Sequence, residues 1–269
     1  MTGTKHDLAG IHEDSPNEVL QYKRSGDRRS MSRSATRALD VLEHFGEVGR
    51  PLRAIEVANA LALHPSTADQ LLKTMVGSAH LVFNAHSKRY FPSPRLARFG
   101  RWVGGYFDGA FLHDLLLKLH AATGELITLT TPHDTFMQVI DTVEDAGSNV
   151  LAERGMRITL FGSAVGGAYL STLSKFELQA LMERANRRQD EMQKILKAIE
   201  EFRRDGYAFR GQSDVWSMGV PLKRGASGIQ FVIGLTGPPQ RMADNRTEYY
   251  RQILDCIAQS RAQTDKVSA

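Results

Sequence analysis

Between Ser32 and Pro94 the apolar residues fall into three short helical stripes followed by two short apolar runs, and few folds accommodate so many brief elements in so little chain. Ser32 or Ser34 offers an N-cap for a helix carrying Ala35, Ala38, Leu39, Leu42 and Phe45, which Gly46 and Gly49 are expected to end. After Pro51, the residues Ala54, Ile55, Val57, Ala58 and Leu61 give a second helix of about two to three turns. The link Ala62-Leu63-His64-Pro65 leads into a third, where Pro65 suits the first helical position because its missing N–H is not needed there. Ala68, Leu71, Leu72, Met75 and Val76 share one face of that helix, and Ser66, Thr67, Asp69, Gln70, Lys73 and Thr74 take the other. Leu81-Val82-Phe83 and Arg89-Tyr90-Phe91 then flank the polar stretch 84–88, the pattern of a β-hairpin with a longer loop, closed by Pro92 and Pro94.

Charge follows the same segment. The formal net charge of +4 is too small to define a partner, but its distribution is uneven. From Gln70 to Phe107 there is no Asp or Glu, while Lys73, Lys88, Arg89, Arg95, Arg98 and Arg101 are all basic. Three short helices, the last two joined by a tight turn, followed by a hairpin with a basic tip, describe a winged helix-turn-helix. A basic block on that architecture points to a polyanionic partner.

The rest of the chain reads as a larger α+β unit, so the expected fold class is α+β with two domains. Residues 1–30 are polar and aperiodic and are expected to form a flexible tail before a head at 31–94. A linker helix is expected at 95–110, then a body at 111–263 and a short tail at 264–269. Within the body, a helix at 111–123 precedes strands at 125–131 and 135–143, with another short strand around Val150-Leu151. The small-residue run Gly162–Ala168 opens a helix, and further helices follow at 174–184 and 188–205. Strands at 207–211, 215–222 and 229–236 precede a C-terminal helix from about Ala243 to Ser260. Strand meanders with helices at both ends imply an antiparallel sheet.

The stretches Ser34–Leu42, Gly49-Arg50-Pro51-Leu52 and His64–Ala68 running into Leu71–Met75 resemble the DNA-binding domain of IclR-type transcriptional regulators. Leu160–Ala168 is similar to that family's loop-helix signature before its effector pocket, and Asp205-Gly206-Tyr207-Ala208 resembles its Gly-Tyr strand start. The resemblance covers about Ser32 to Gln263. It implies a GAF-like effector-binding domain, dimerisation through the head and linker helix, and a small organic-acid or aromatic metabolite as effector. It also marks departures: Gln70 stands where Arg is common, Phe161 where His is usual, Gly167 where Lys is usual and Ser217 where Cys is common.

On the third helix the expected DNA-binding residues are Ser66, Thr67, Asp69, Gln70 and Lys73. Ser66 and Thr67 at the helix N-terminus either hold a phosphate or simply cap the helix. Gln70 can make a bidentate pair with adenine, Lys73 can reach phosphate or guanine, and Asp69 either meets a cytosine amine or lies off the interface. Lys88 and Arg89 on the wing are expected phosphate contacts, with Arg37 a further backbone candidate.

For the effector, Gly162 and Ser163 lie at a helix start, where N–H groups and the dipole favour a carboxylate. Phe161, Trp216 and Met218 are candidate apolar walls, and Ser217 or Thr128 a polar anchor. Asp141 is a further pocket residue, or it caps a turn or pairs with a neighbouring arginine.

Catalytic motifs are absent. Gly162–Ala168 has neither of the spacings that cradle nucleotide phosphates, and Phe161 rather than Gly stands two residues before Ser163. His113, His120 and His133 have no ligand spacing, and Cys256 is the single cysteine, so no metal and no cofactor are expected. No stretch reaches the ~18 apolar residues of a membrane span, and the start lacks a signal-peptide core, so the expected location is cytoplasmic. The expectation is a homodimer or dimer of dimers that binds double-stranded operator DNA under control of a small-molecule effector. The alternatives are a hydrolase-type enzyme with an accessory winged helix, and a ligand sensor whose winged helix binds protein.

Overall fold

The computed structural model describes residues 32–100, 112–145, 152–212, 214–224 and 228–268; side chains at 189, 190, 212 and 261–268 are not described. The expectations for the tail at 1–30, for the linker helix beyond residue 100 and for a strand around Val150-Leu151 lie outside these residues.

Helix α1 (Arg33–Val48) begins as its sequence predicts, with the Ser32 Oγ accepting from the Ala35 N–H. It runs through Gly46 and stops at Gly49, whose φ of 64° reverses the chain and lets its N–H donate to the Phe45 carbonyl. Helix α2 (Ala54–Ala60) and helix α3 (Pro65–Gly77) follow. Strands β1 (Leu81–Asn84) and β2 (Arg89–Pro92) pair antiparallel, with Val82 opposite Phe91. Leu52 exchanges two backbone hydrogen bonds with Tyr90, which laces the segment before α2 to the hairpin. Val41, Phe45, Leu52, Val57, Leu72, Met75, Leu81 and Tyr90 form the core beneath. The result is a winged helix-turn-helix, and a 3-10 turn at Pro94–Leu96 and a helical stretch at 97–100 leave it.

The body opens with α4 (Leu112–Thr123) and the strands β3 (Leu126–His133) and β4 (Phe136–Val143). A three-residue strand, β5 (Arg157–Thr159), escapes the sequence reading because Arg-Ile-Thr is too short to show a period. Helices α5 (Ala164–Ser171), α6 (Lys175–Arg184) and α7 (Gln189–Asp205) precede β6 (Ala208–Gln212), β7 (Val215–Pro221) and β8 (Val232–Gly237). The expected C-terminal helix is two: α8 (Pro239–Asp244) and α9 (Arg246–Ser268), interrupted at Asn245. The six strands run β5-β4-β3-β8-β7-β6, every neighbouring pair antiparallel.

Strand alternation sorts residues onto two faces. Ile127, Leu129, Met218, Val220, Ile233 and Leu235 face α4 and α9. Met137, Ala208 and Val232 face α5, α6 and α7. Small residues bring α5 onto the sheet: a Cβ on Gly219 would overlap the Ala164 carbonyl, and one on Gly166 would overlap the Leu160 carbonyl. The Gly162–Ala168 run thus serves close packing as well as the start of α5. Among the described residues no helix is long and apolar enough to cross a membrane.

Candidate nucleic-acid interface and effector cavity

Helix α3 presents Ser66, Gln70 and Lys73 to solvent, with Thr67 and Asp69 half-buried. The Ser66 hydroxyl lies 2.8 Å from His64 Nδ1, which also accepts from the Ser66 N–H, so His64 caps the helix and orients that serine. Asp69 Oδ2 and Lys73 Nζ are 2.8 Å apart, one turn along the helix. This bond raises the Lys73 pKa and neutralises the one acidic group on the exposed face.

On the wing, Asn84 Oδ1 accepts from the His86 and Ser87 N–H groups, building a turn that carries Lys88 in the left-handed region at φ 54° with its side chain exposed. Arg89 is turned inward instead. Its Nη1 donates to the Pro51 carbonyl at 2.8 Å and lies 3.5 Å from Glu56 Oε2, while Arg50 Nη1 donates to Glu56 Oε1. The Arg53 N–H, then Arg50, then the charge of Arg89 hold the Glu56 pKa below its ordinary value. Arg89 therefore ties the wing to the start of α2. Arg37 is exposed on α1.

In the body a cavity of about 50 Å³ opens between the start of α5 and the sheet face that meets it. Of the residues singled out from the sequence it gathers Thr128, Gly162, Ser163 and Ser217, and it adds Arg210 and Thr236. Ser163 donates to the Thr159 carbonyl at 2.6 Å and accepts from the Gly166 N–H, so its hydroxyl is used as the cap of α5. Ser217 Oγ and Thr236 Oγ1 lie 2.9 Å apart as a polar pair on neighbouring strands. The Arg210 guanidinium stacks over the Phe202 ring, and its Nη1 makes one long hydrogen bond, 3.4 Å, to the Phe209 carbonyl. Burial lowers its pKa, with Glu201 opposing, and among the described residues no carboxylate pairs with it.

The structure does not bring the other expected effector residues to this cavity. Met218 and Trp216 lie on the opposite face of β7 from Ser217: with a side-chain period of two, three consecutive strand residues cannot line one pocket. Met218 is fully buried against the α4 side, and Trp216 packs edge-on to Phe209. Phe161 is buried in the helical core under Arg187. Asp141 sits opposite Leu129, on the α4 face, where it binds His113 at 2.6 Å and Arg154 at 3.0 Å; the arginine-pairing alternative describes it. Arg210 was missed because a lone cation on a strand carries no periodic signal; that no carboxylate among the described residues pairs with it appears only in the fold.

Residues 110–262 match the family described as "Bacterial transcriptional regulator IclR C-terminal", and residues 34–78 match the IclR helix-turn-helix domain. The HTH-type transcriptional regulator XynR of Escherichia coli K12 is 24% identical over 237 residues, covering 82% of this chain and 92% of XynR. In fold the chain is similar to the Thermotoga maritima IclR crystal structure (TM-score 0.51, 18% identity, 86% of this chain and 98% of that one). It is likewise similar to an IclR family transcriptional regulator from Brucella abortus (TM-score 0.50, 20% identity, 88% and 94%). With its helix-turn-helix and its C-terminal effector-binding domain both matched in order, the chain belongs to the IclR family of transcriptional regulators.

Proposed function

We propose that this regulator holds a carboxylate effector in the cavity at the start of α5 and reads a double-stranded operator with α3 and the wing. The observation that carries the effector class is Arg210: a largely buried guanidinium without an acidic partner among the described residues, at a cavity that also meets a helix N-terminus. A buried cation left unpaired is costly, and an anionic ligand offsets that cost. At about 50 Å³ the cavity is well below the ~300–1,000 Å³ of an ordinary ligand pocket, so an organic acid larger than a few heavy atoms must move a wall.

On DNA, Gln70 and Ser66 face the bases and the adjoining phosphates, Thr67 supports the start of the helix, and Lys88 supplies phosphate contact from the wing. Lys73 contributes only as far as it leaves Asp69, and Arg37 touches backbone from α1. The head spans 31–94, a linker 95–110 and the body 111–263. Two heads in a homodimer, or four in a dimer of dimers, address half-sites about one helical turn, ~34 Å, apart in the cytoplasm. The test is a fluorescence titration of the DNA upstream of the gene at several salt concentrations, with pyruvate, benzoate or their neutral amides present. Operator affinity that falls steeply with salt and shifts with the acids, but not with the amides, is the expected result. Affinity indifferent to salt overturns the DNA reading, and equal effects of acids and amides overturn the effector class.

A further inference from the structure

The segment 152–158 runs from the cavity towards the head and back. Ala152 and Ile158, near its two ends, both line the cavity. Between them the chain makes a tight turn in which the Met156 N–H donates to the Glu153 carbonyl and Gly155 takes a φ of 81°. Two further bonds clip that turn to β4: the Gly155 N–H donates to the Val139 carbonyl at 2.7 Å, and the Val139 N–H donates to the Met156 carbonyl at 2.9 Å. At its tip is Arg154. Its Nε donates to Asp141 Oδ1 at 3.0 Å, and its Nη1 lies 3.6 Å from Glu47 and 3.9 Å from Glu43, both on α1 of the head. His113 on α4 holds the other oxygen of Asp141.

The walls of the cavity are unequal in stiffness. Thr128, Ser217 and Thr236 stand on interior strands paired on both sides, and α5 is pressed against the Gly219 backbone. Ala152 and Ile158 belong to the periphery, where β5 is an edge strand held by three residue pairs. Local opening is cheapest where ladder bonds are fewest.

We propose that segment 152–158 is the link through which occupancy of the cavity reaches the DNA-reading head: a ligand too large for the cavity displaces this wall, and Arg154 then loosens its hold on Glu43 and Glu47. The proposal rests on the reading of the cavity as the effector site. Arg154 is a positioning residue in it, touching neither ligand nor DNA.

The test needs neither ligand nor operator, so it is independent of whether the titration above succeeds. Hydrogen exchange of residues 33–48 is followed in the full chain, with Val215→Phe and Ser217→Leu filling the cavity in place of ligand. Arg154→Gln should raise exchange of α1 by about two- to fivefold, as expected for the loss of one or two exposed ion pairs. A folded cavity-filling variant should do the same while Arg154 is present and add nothing in the Arg154→Gln background. Arg154→Lys, which keeps the positive charge facing Glu43, Glu47 and Asp141, should retain most of the protection, a result that general destabilisation would not give. The proposal is overturned if Arg154→Gln leaves α1 exchange unchanged, if filling the cavity has no effect on α1, or if filling acts equally without Arg154. Failure of the wild-type chain to bind DNA would defeat the functional reading and leave this result standing.

Discussion

The Arg210 guanidinium lies 4.6 Å from the centre of the Phe202 ring, so an aromatic face rather than an acid holds the cation at the cavity. A hydrogen bond to a charged group is worth about 1.5–3 kcal/mol, so Arg210→Gln should weaken carboxylate binding by about 10- to 150-fold. The unliganded variant should melt no lower than the parent, because the substitution also removes the cost of a buried charge. Calorimetry with benzoate and a thermal melt check both halves. A loss of less than about threefold would place the anion away from Arg210.

Asp69 and Lys73 cancel each other on the reading helix. Asp69→Asn should free the ammonium for phosphate, tightening operator binding and steepening the salt dependence by about 0.9 in log–log slope. Lys88→Ala should flatten that slope by a similar amount. Arg89→Ala should act differently, lowering the stability of the head, because its bonds run to Pro51 and Glu56. Titrations at several salt concentrations beside melting curves separate the two kinds of effect.

Glu56 gives the head an acid-sensitive tie. Its folded pKa is lowered, first by the Arg53 N–H and then by Arg50, so the folded state favours the carboxylate. The stability it contributes is present above its ordinary value of 4.5 and is lost as pH falls through the lowered folded value. The melting temperature of the head transition should therefore fall across that acid window in the parent and vary less in Glu56→Gln. Parallel curves for the two proteins would exclude Glu56 as the responsible group.

In the body Glu125 is almost wholly buried, accepts two bonds from Arg241 and receives a third from the Tyr249 hydroxyl at 2.8 Å. Burial, then this bond to Glu125, pushes the Tyr249 pKa up to about 12, so the phenol remains a neutral donor. Arg241→Ala leaves a buried carboxylate without its cation and should cost about 3–5 kcal/mol. Glu125→Gln leaves Arg241, which is half exposed, free to hydrate, and should cost about 1–3 kcal/mol. Urea unfolding ranks them, and the reverse order would mean that the cation, not the acid, is the poorly solvated partner.

The head was legible because its signals are local. Ser32, Pro65 and the stripes around Phe45 and Leu72 act within a turn or two of themselves, and the hairpin at Leu81 and Arg89 is closed by its own neighbours. Body strands were also legible in number, except that β5 is too short to show a period and the C-terminal helix breaks at Asn245. The cavity was half legible. Gly162, Ser163, Thr128 and Ser217 follow from a helix start and two strands, but which face each strand residue takes depends on register. Met218 and Trp216 fell on the far side for that reason, and Arg210 gained its meaning only from the lack of a carboxylate paired with it among the described residues.

The alternation along β7 separates two sets of substitutable positions. Ser217 and Gly219 look towards the cavity and α5, whereas Trp216, Met218 and Val220 look towards the opposite layer. One strand thus carries two sets of positions, and a substitution in the first can reshape the cavity wall without disturbing the packing of the second.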